Sequence, residues 1–188
     1  MMFSRKLAES MAKNSVIEHD EIDIYCFGIQ IVTETIFSFV VFLVISLLFH
    51  CIIETTVFML SFALLRQYAG GFHTDKFISC LLISCGVITI FCILIHLPDI
   101  VAYFIGALAM ISLIVILWLS PVDSKYKPIS NSDKKKYRKK LVVILLMEII
   151  ITAVIMLYSV HFAMCIVFSW IVLALLLIIG QIQNKHNS

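Results

Sequence analysis

Charge is what this sequence has little of: Asp, Glu, Lys and Arg make up 14% of its 188 residues, while 62% are hydrophobic. Soluble domains carry about 25% charged and about 45–50% apolar residues. Too few polar residues remain to coat a water-soluble globule, and no soluble domain is left over beside the apolar runs. The six cysteines, Cys26, Cys51, Cys80, Cys85, Cys92 and Cys165, show no CxxC spacing, which speaks against a zinc site or a disulfide framework. A nucleotide-binding motif and an internal repeat are also lacking, and a formal charge of +2 is no nucleic-acid signature. The N-terminus begins with basic residues but lacks the roughly 7 to 15 apolar residues of a signal-peptide core, so it is expected to stay on the mature protein.

What is present is apolar length. With a mean hydropathy of +1.07, the chain offers six runs, at 28–49, 50–65, 77–97, 100–119, 141–160 and 162–180, and a bilayer span needs about 20 residues. The second run is short and is separated from the first only at "FHCIIE". The expected fold is all-α: a polytopic integral membrane protein with about six transmembrane helices and an N-terminal amphipathic helix. Residues 1–188 form a single membrane domain in this reading. It comprises a cytoplasmic or interfacial segment (1–27), a six-helix region (28–180) with a basic cytoplasmic loop (120–140), and a cytoplasmic tail (181–188). Lys and Arg favour the cytoplasmic side; with both termini inside, all 14 basic residues fall in cytoplasmic segments and none in the external turns. At the N-terminus Phe3, Leu7 and Met11 recur at helical spacing among Arg5, Lys6, Glu9 and Lys13, a pattern suited to a helix on the membrane surface. The acidic group Glu18, Asp20, Glu21 and Asp23 that follows is read as solvated.

The stretch "RQYAGGFHTDKFISC", residues 66–80, gathers polar chemistry between two apolar runs on the cytoplasmic side. Cys80 falls near the start of the third span, where a helix N-terminus or an imidazole raises the thiolate fraction. In one straight helix His73 and Cys80 would stand about 10.5 Å apart along the axis, too far for proton transfer over about 2.6–3.2 Å. The connection must therefore fold back, and Gly70 and Gly71 supply the backbone freedom. Asp75 either orients His73 or caps the helix, and both readings stay open, as does an inert loop. Of the other thiols, Cys85 lies about 7.5 Å deeper than Cys80, Cys51 is external, and Cys92 and Cys165 are buried in spans, which leaves Cys26, near the cytoplasmic end of the first helix, as the other candidate nucleophile.

This stretch, together with "FGIQIVTETI" at the first span, "SPVDSKYKPIS" after the fourth, the basic run "DKKKYRKK" and the total length, resembles the accessory gene regulator B family of Gram-positive quorum sensing. The resemblance implies a cysteine endopeptidase of the bacterial cell membrane, needing no cofactor and no metal. Cys80 would be its nucleophile and His73 its general base, with Arg66 and Gly71 as further positions on which activity depends; Arg66 or the backbone at Gly70 and Gly71 would serve the oxyanion. The substrate implied is an AgrD-like propeptide with an amphipathic leader and an acidic C-terminal tail, cleaved through an acyl thioester that closes to a thiolactone or lactone. The partners are that propeptide, the lipid bilayer and a second copy in a homodimer, with no nucleic acid. Gln30 and Glu34 are candidates for substrate contact, as are Lys134, Lys135, Lys136, Arg138, Lys139 and Lys140, whose charge suits either lipid headgroups or the acidic tail.

The alternative class is a small transporter or channel, because carboxylates within spans, here Glu34 and Glu54, are costly and often functional. Against it, the polar residues gather on one side and no inverted repeat is visible. Each external turn carries a histidine, His50, His96 or His161, but interfacial histidines are common and no metal site is expected.

Overall fold

The computed structural model describes residues 2–14, 16–70, 77–96, 100–122 and 131–186. These form seven α-helices and one short 3₁₀ turn (His19–Glu21): α1 (Met2–Lys13), α2 (Ile22–Leu48), α3 (Ile52–Ala69), α4 (Phe77–Leu94), α5 (Ile100–Leu119), α6 (Asn131–Met156) and α7 (Val160–His186). Among the described residues there is no strand, as expected of a chain whose backbone polar groups must be satisfied within each segment in lipid. The protein is an all-α membrane protein, and a long helix covers each of the six apolar runs. Three of these, Ile22–Leu48, Phe77–Leu94 and Val160–Gln183, are long and apolar enough to cross a bilayer by themselves. In α5 the apolar stretch is shorter, Ile105–Leu119; α3 carries Glu54 and Arg66, and α6 begins with the basic run.

The chain divides into two compact units, Met1–Val44 and Ile45–Ser188. In the first, α1 buries Ser4, Ala8 and Ala12, one helical face of small side chains, and leaves Leu7 exposed. Cys26 on α2 donates its thiol hydrogen to Ser4 Oγ at 3.6 Å. Of the acidic group, Glu18, Asp20 and Asp23 are exposed, and the Glu18 N–H donates to Glu21 Oε2 at 3.1 Å. Along α2, Ile24, Phe27, Val32 and Ile36 are exposed by more than half, a surface that fits hydrocarbon and not water.

In the second unit α7 is central: 61% of its apolar span is buried, against 17% for α4. Trp170, Leu173, Ala174 and Leu177 of α7 pack with Leu65 and Ala69 of α3, Ala109 and Ile116 of α5, and Leu141 and Leu145 of α6. The junction between α2 and α3 falls at "FHCIIE", the expected place, without proline or glycine. His50 takes a left-handed φ of +54°; its N–H donates to the Leu47 carbonyl at 3.2 Å, and the Cys51 N–H donates to the Ser46 carbonyl at 2.9 Å. That pair of bonds is the Schellman arrangement that ends a helix with its last carbonyls satisfied.

Candidate active site

Of the six residues predicted to carry or support the catalysis, Arg66, Gly70 and Cys80 lie among the described residues, whereas Gly71, His73 and Asp75 lie outside them. Cys80 is in the first turn of α4 and half-buried. The N–H groups of a helix's first turn carry a partial positive charge, and Cys80 lies in that turn. Arg66 stands in the last turn of α3, just past the apolar run, and its Nη1 donates to the Gly70 carbonyl. Burial pushes the Arg66 guanidinium below the usual arginine range, and the attraction of Cys80 works in the opposite direction. Arg66 thus holds the backbone where the connection leaves α3.

Gly70 is required by its geometry. Its φ is +72°, and a Cβ built on it would stand 2.2 Å from the Val122 carbonyl oxygen. The close approach arises because Gly70 and Val122 pair as an isolated parallel bridge, with the Val122 N–H donating to the Ala69 carbonyl at 3.0 Å. The connection after α3 is thereby joined to the start of "SPVDSKYKPIS", the connection after α5. Ala69 and Val122 are buried at this junction, and so is Ser120, whose Oγ has no hydrogen-bond partner among the described residues.

The basic run is helical, occupying the first turns of α6, where a loop was expected. Lys135, Lys136, Arg138, Lys139 and Lys140 are exposed and Lys134 is half-buried. Cations at a helix N-terminus oppose the macrodipole, so this segment gains from an anionic neighbour. Two of its side chains reach back toward neighbouring helices. Lys140 Nζ lies 5.5 Å from the centre of the Tyr68 ring on α3, two residues from Arg66, and Arg138 Nη2 donates to the Leu117 carbonyl at 3.3 Å.

Gln30 and Glu34 belong to the first unit and satisfy each other, Gln30 Nε2 donating to Glu34 Oε1 at 2.8 Å along α2. The three histidines expected in external turns make separate contacts. His161 Nε2 is 3.2 Å from Glu54 Oε1, His96 Nδ1 is 2.7 Å from the Cys92 carbonyl oxygen, and His50 holds the turn described above. Among the described residues, no group of three or more His, Cys, Asp and Glu side chains is placed to hold a metal ion.

Two features escaped the sequence reading. Glu148 of α6 is buried, and its Oε2 accepts from Ser61 Oγ of α3 at 2.9 Å and from Trp170 Nε1 of α7 at 2.8 Å. Ser61 Oγ in turn lies 2.6 Å from Ser169 Oγ. Glu148 is the only acidic residue in the run 141–160, and a lone carboxylate in a span was the available signal. The second feature, the Val122 junction, leaves no trace in residue type, because its contacts run through backbone atoms.

Fold and site together define a class: an all-α membrane protein in which an arginine at the end of α3 holds a constrained glycine and a cysteine lies in the first turn of α4. The family model described as Accessory gene regulator B matches residues 4–179, and the chain belongs to that family. It is similar to "Putative AgrB-like protein 2" of Clostridium perfringens (strain 13 / Type A), 26% identical over 142 residues, covering 71% of this chain and 65% of that protein. It is also similar to "Accessory gene regulator protein B" of Staphylococcus carnosus (strain TM300), 29% identical over 109 residues, covering 58% of this chain and 57% of that one. The chain therefore spans a little less than two thirds of the length of the curated relatives it matches. No solved structure matches it.

Proposed function

We propose that this protein is a membrane cysteine endopeptidase that removes the acidic tail of an AgrD-like propeptide and promotes ring closure of the remainder. The observation that best supports the reading is that Arg66, at the end of α3, donates to the Gly70 carbonyl while Cys80 lies in the first turn of the next helix. In the reaction the Cys80 thiolate attacks the carbonyl at the end of the signal segment, and His73 passes a proton to the departing amine of the tail. Arg66, with backbone N–H groups of the glycine turn, stabilises the oxyanion. A thiol or hydroxyl within the peptide then attacks the acyl thioester, closes the ring and releases Cys80. Exchange of one thioester for another is close to balanced and needs no nucleotide.

In this reading the chain crosses the membrane six times, with both termini and the Cys80 end in the cytoplasm. α1 lies in the inner leaflet, where an amphipathic leader would also lie, and two copies form a homodimer. The exposed cations of α6 draw in the acidic tail, and Lys140 above Tyr68 places part of that charge beside α3. A transporter would instead use Glu148, buried between α3, α6 and α7.

One experiment separates the two. Purified protein in lipid vesicles is incubated with the propeptide, and products are followed by mass spectrometry for wild type, Cys80→Ala and His73→Ala. Release of the tail by wild type alone, with a ring product one water lighter than the linear acid, supports the peptidase. Equal processing by Cys80→Ala would overturn it.

A further inference from the structure

Far from Cys80, two other thiols meet. Cys51, in the turn before α3, and Cys92, near the C-terminal end of α4, have their sulfurs 3.0 Å apart, and both side chains are buried. A disulfide bond is about 2.05 Å long, so closing it asks for a displacement of about 1 Å, within reach of small side-chain rotations. Thr55 Oγ1 lies 3.7 Å from each sulfur. Cys165, the other buried thiol of this unit, is turned to its own helix, donating to the His161 carbonyl at 3.4 Å.

Location gives the pair its significance. α4 buries only Ile88, Phe91 and Cys92, all in its second half. There Phe91 stacks on Phe58 of α3 at 4.8 Å and meets Phe168 of α7 at 5.3 Å. The helix that carries Cys80 in its first turn is thus anchored at its other end, about 18 Å away along the axis. A covalent bond between Cys51 and Cys92 would fix that anchor to the start of α3.

We propose that Cys51 and Cys92 are a redox-active dithiol that closes to an intramolecular disulfide by exchange with a small-molecule disulfide. Cys51, outside the helices and next to the exposed His50, reacts first when the turn opens locally. Its thiolate attacks one sulfur of the incoming disulfide and expels one thiolate. Cys92 then attacks the Cys51 sulfur of the mixed disulfide and expels the second. The protein loses two electrons and two protons, and the small disulfide leaves as two thiols. With Cys80 on the cytoplasmic side the pair lies toward the outer face, where disulfides persist; that part rests on the proposed orientation, whereas the thiol geometry does not.

The test uses the full chain in lipid vesicles, treated with oxidised glutathione and, in parallel, with membrane-permeant diamide. Free thiols are then alkylated and the protein is mapped by mass spectrometry. The expected result is a fall from six free thiols to four, a mass lower by two hydrogens before alkylation, and a Cys51–Cys92 cross-linked peptide. The same link forms in Cys80→Ala, so the result is independent of the peptidase reading, and it is absent from Cys51→Ser and Cys92→Ser. Retention of all six thiols, a glutathione adduct that stops on Cys51, or a bond to Cys165 or to a second chain would overturn the proposal.

Discussion

Replacing Gly70 by alanine tests the candidate site at its most constrained point. The residue sits at φ +72° and ψ −146°, close to a region of backbone space almost reserved for glycine and costing about 1–3 kcal/mol for other residues. The added Cβ would also stand 2.2 Å from the Val122 carbonyl oxygen, a backbone atom that cannot rotate aside. Relief requires the two connections to part, which gives up the hydrogen bond from Val122 N–H to the Ala69 carbonyl, about 1 kcal/mol more. A total of about 2–4 kcal/mol against the native junction lowers the population of the competent arrangement roughly 30- to 1,000-fold. Because most of the core around α7 lies along the helices away from Ala69 and Val122, the penalty should appear as lost activity more than as unfolding. The assay is the initial rate of tail release in vesicles beside the melting temperature in detergent. Gly86→Ala in α4 is the control, since a Cβ there meets nothing within 4 Å. A Gly70→Ala protein that releases tail at the wild-type rate would refute the argument that this junction positions the site.

Four further outcomes follow from the contacts above. Arg66→Lys, which keeps a charge but loses the planar fork, should lower kcat at least tenfold with little change in melting temperature, read from tail-release kinetics. Reversing Lys135, Lys136 and Lys139 to glutamate should raise KM for an acidic-tailed propeptide several-fold while sparing kcat; raising the ionic strength should weaken binding to wild type in the same direction, and a propeptide with a neutral tail should be insensitive to both. Glu148→Ala leaves Ser61 and Trp170 without their shared acceptor and should destabilise the protein by about 1–3 kcal/mol in detergent unfolding, whereas Glu148→Gln, which keeps a carbonyl oxygen, should recover most of that loss. His50→Gly should be neutral or slightly stabilising in the same measurement, because glycine adopts the left-handed conformation without a Cβ penalty.

The all-α membrane class and the place of each long helix could be read directly from residue order. An apolar run in lipid has one economical way to satisfy its own backbone, and that constraint acts locally. The junction at "FHCIIE" was legible for the same reason, although the device that makes it, a left-handed His50, was not visible in composition. Cys80, Arg66 and Gly70 could be singled out because polar residues are rare in such a chain and these three fall within fifteen positions. Which thiols meet was a different matter. Cys51 and Cys92 are 41 residues apart and looked inert, one assigned to an external turn and the other to a span. Their contact depends on how α3 lies beside α4.

By itself, then, the sequence determined the helices, the class of environment and the short stretch where the candidate chemistry lies, because each is set by interactions within a few residues or with the surrounding lipid. The tertiary structure alone decided that α7 is the central helix, that Glu148 is held between Ser61 and Trp170, that Gly70 is closed against Val122, and that two distant sulfurs face each other. Those arrangements are set by packing between helices, where apolar side chains are nearly interchangeable in type. Shape complementarity across the whole bundle selects among them.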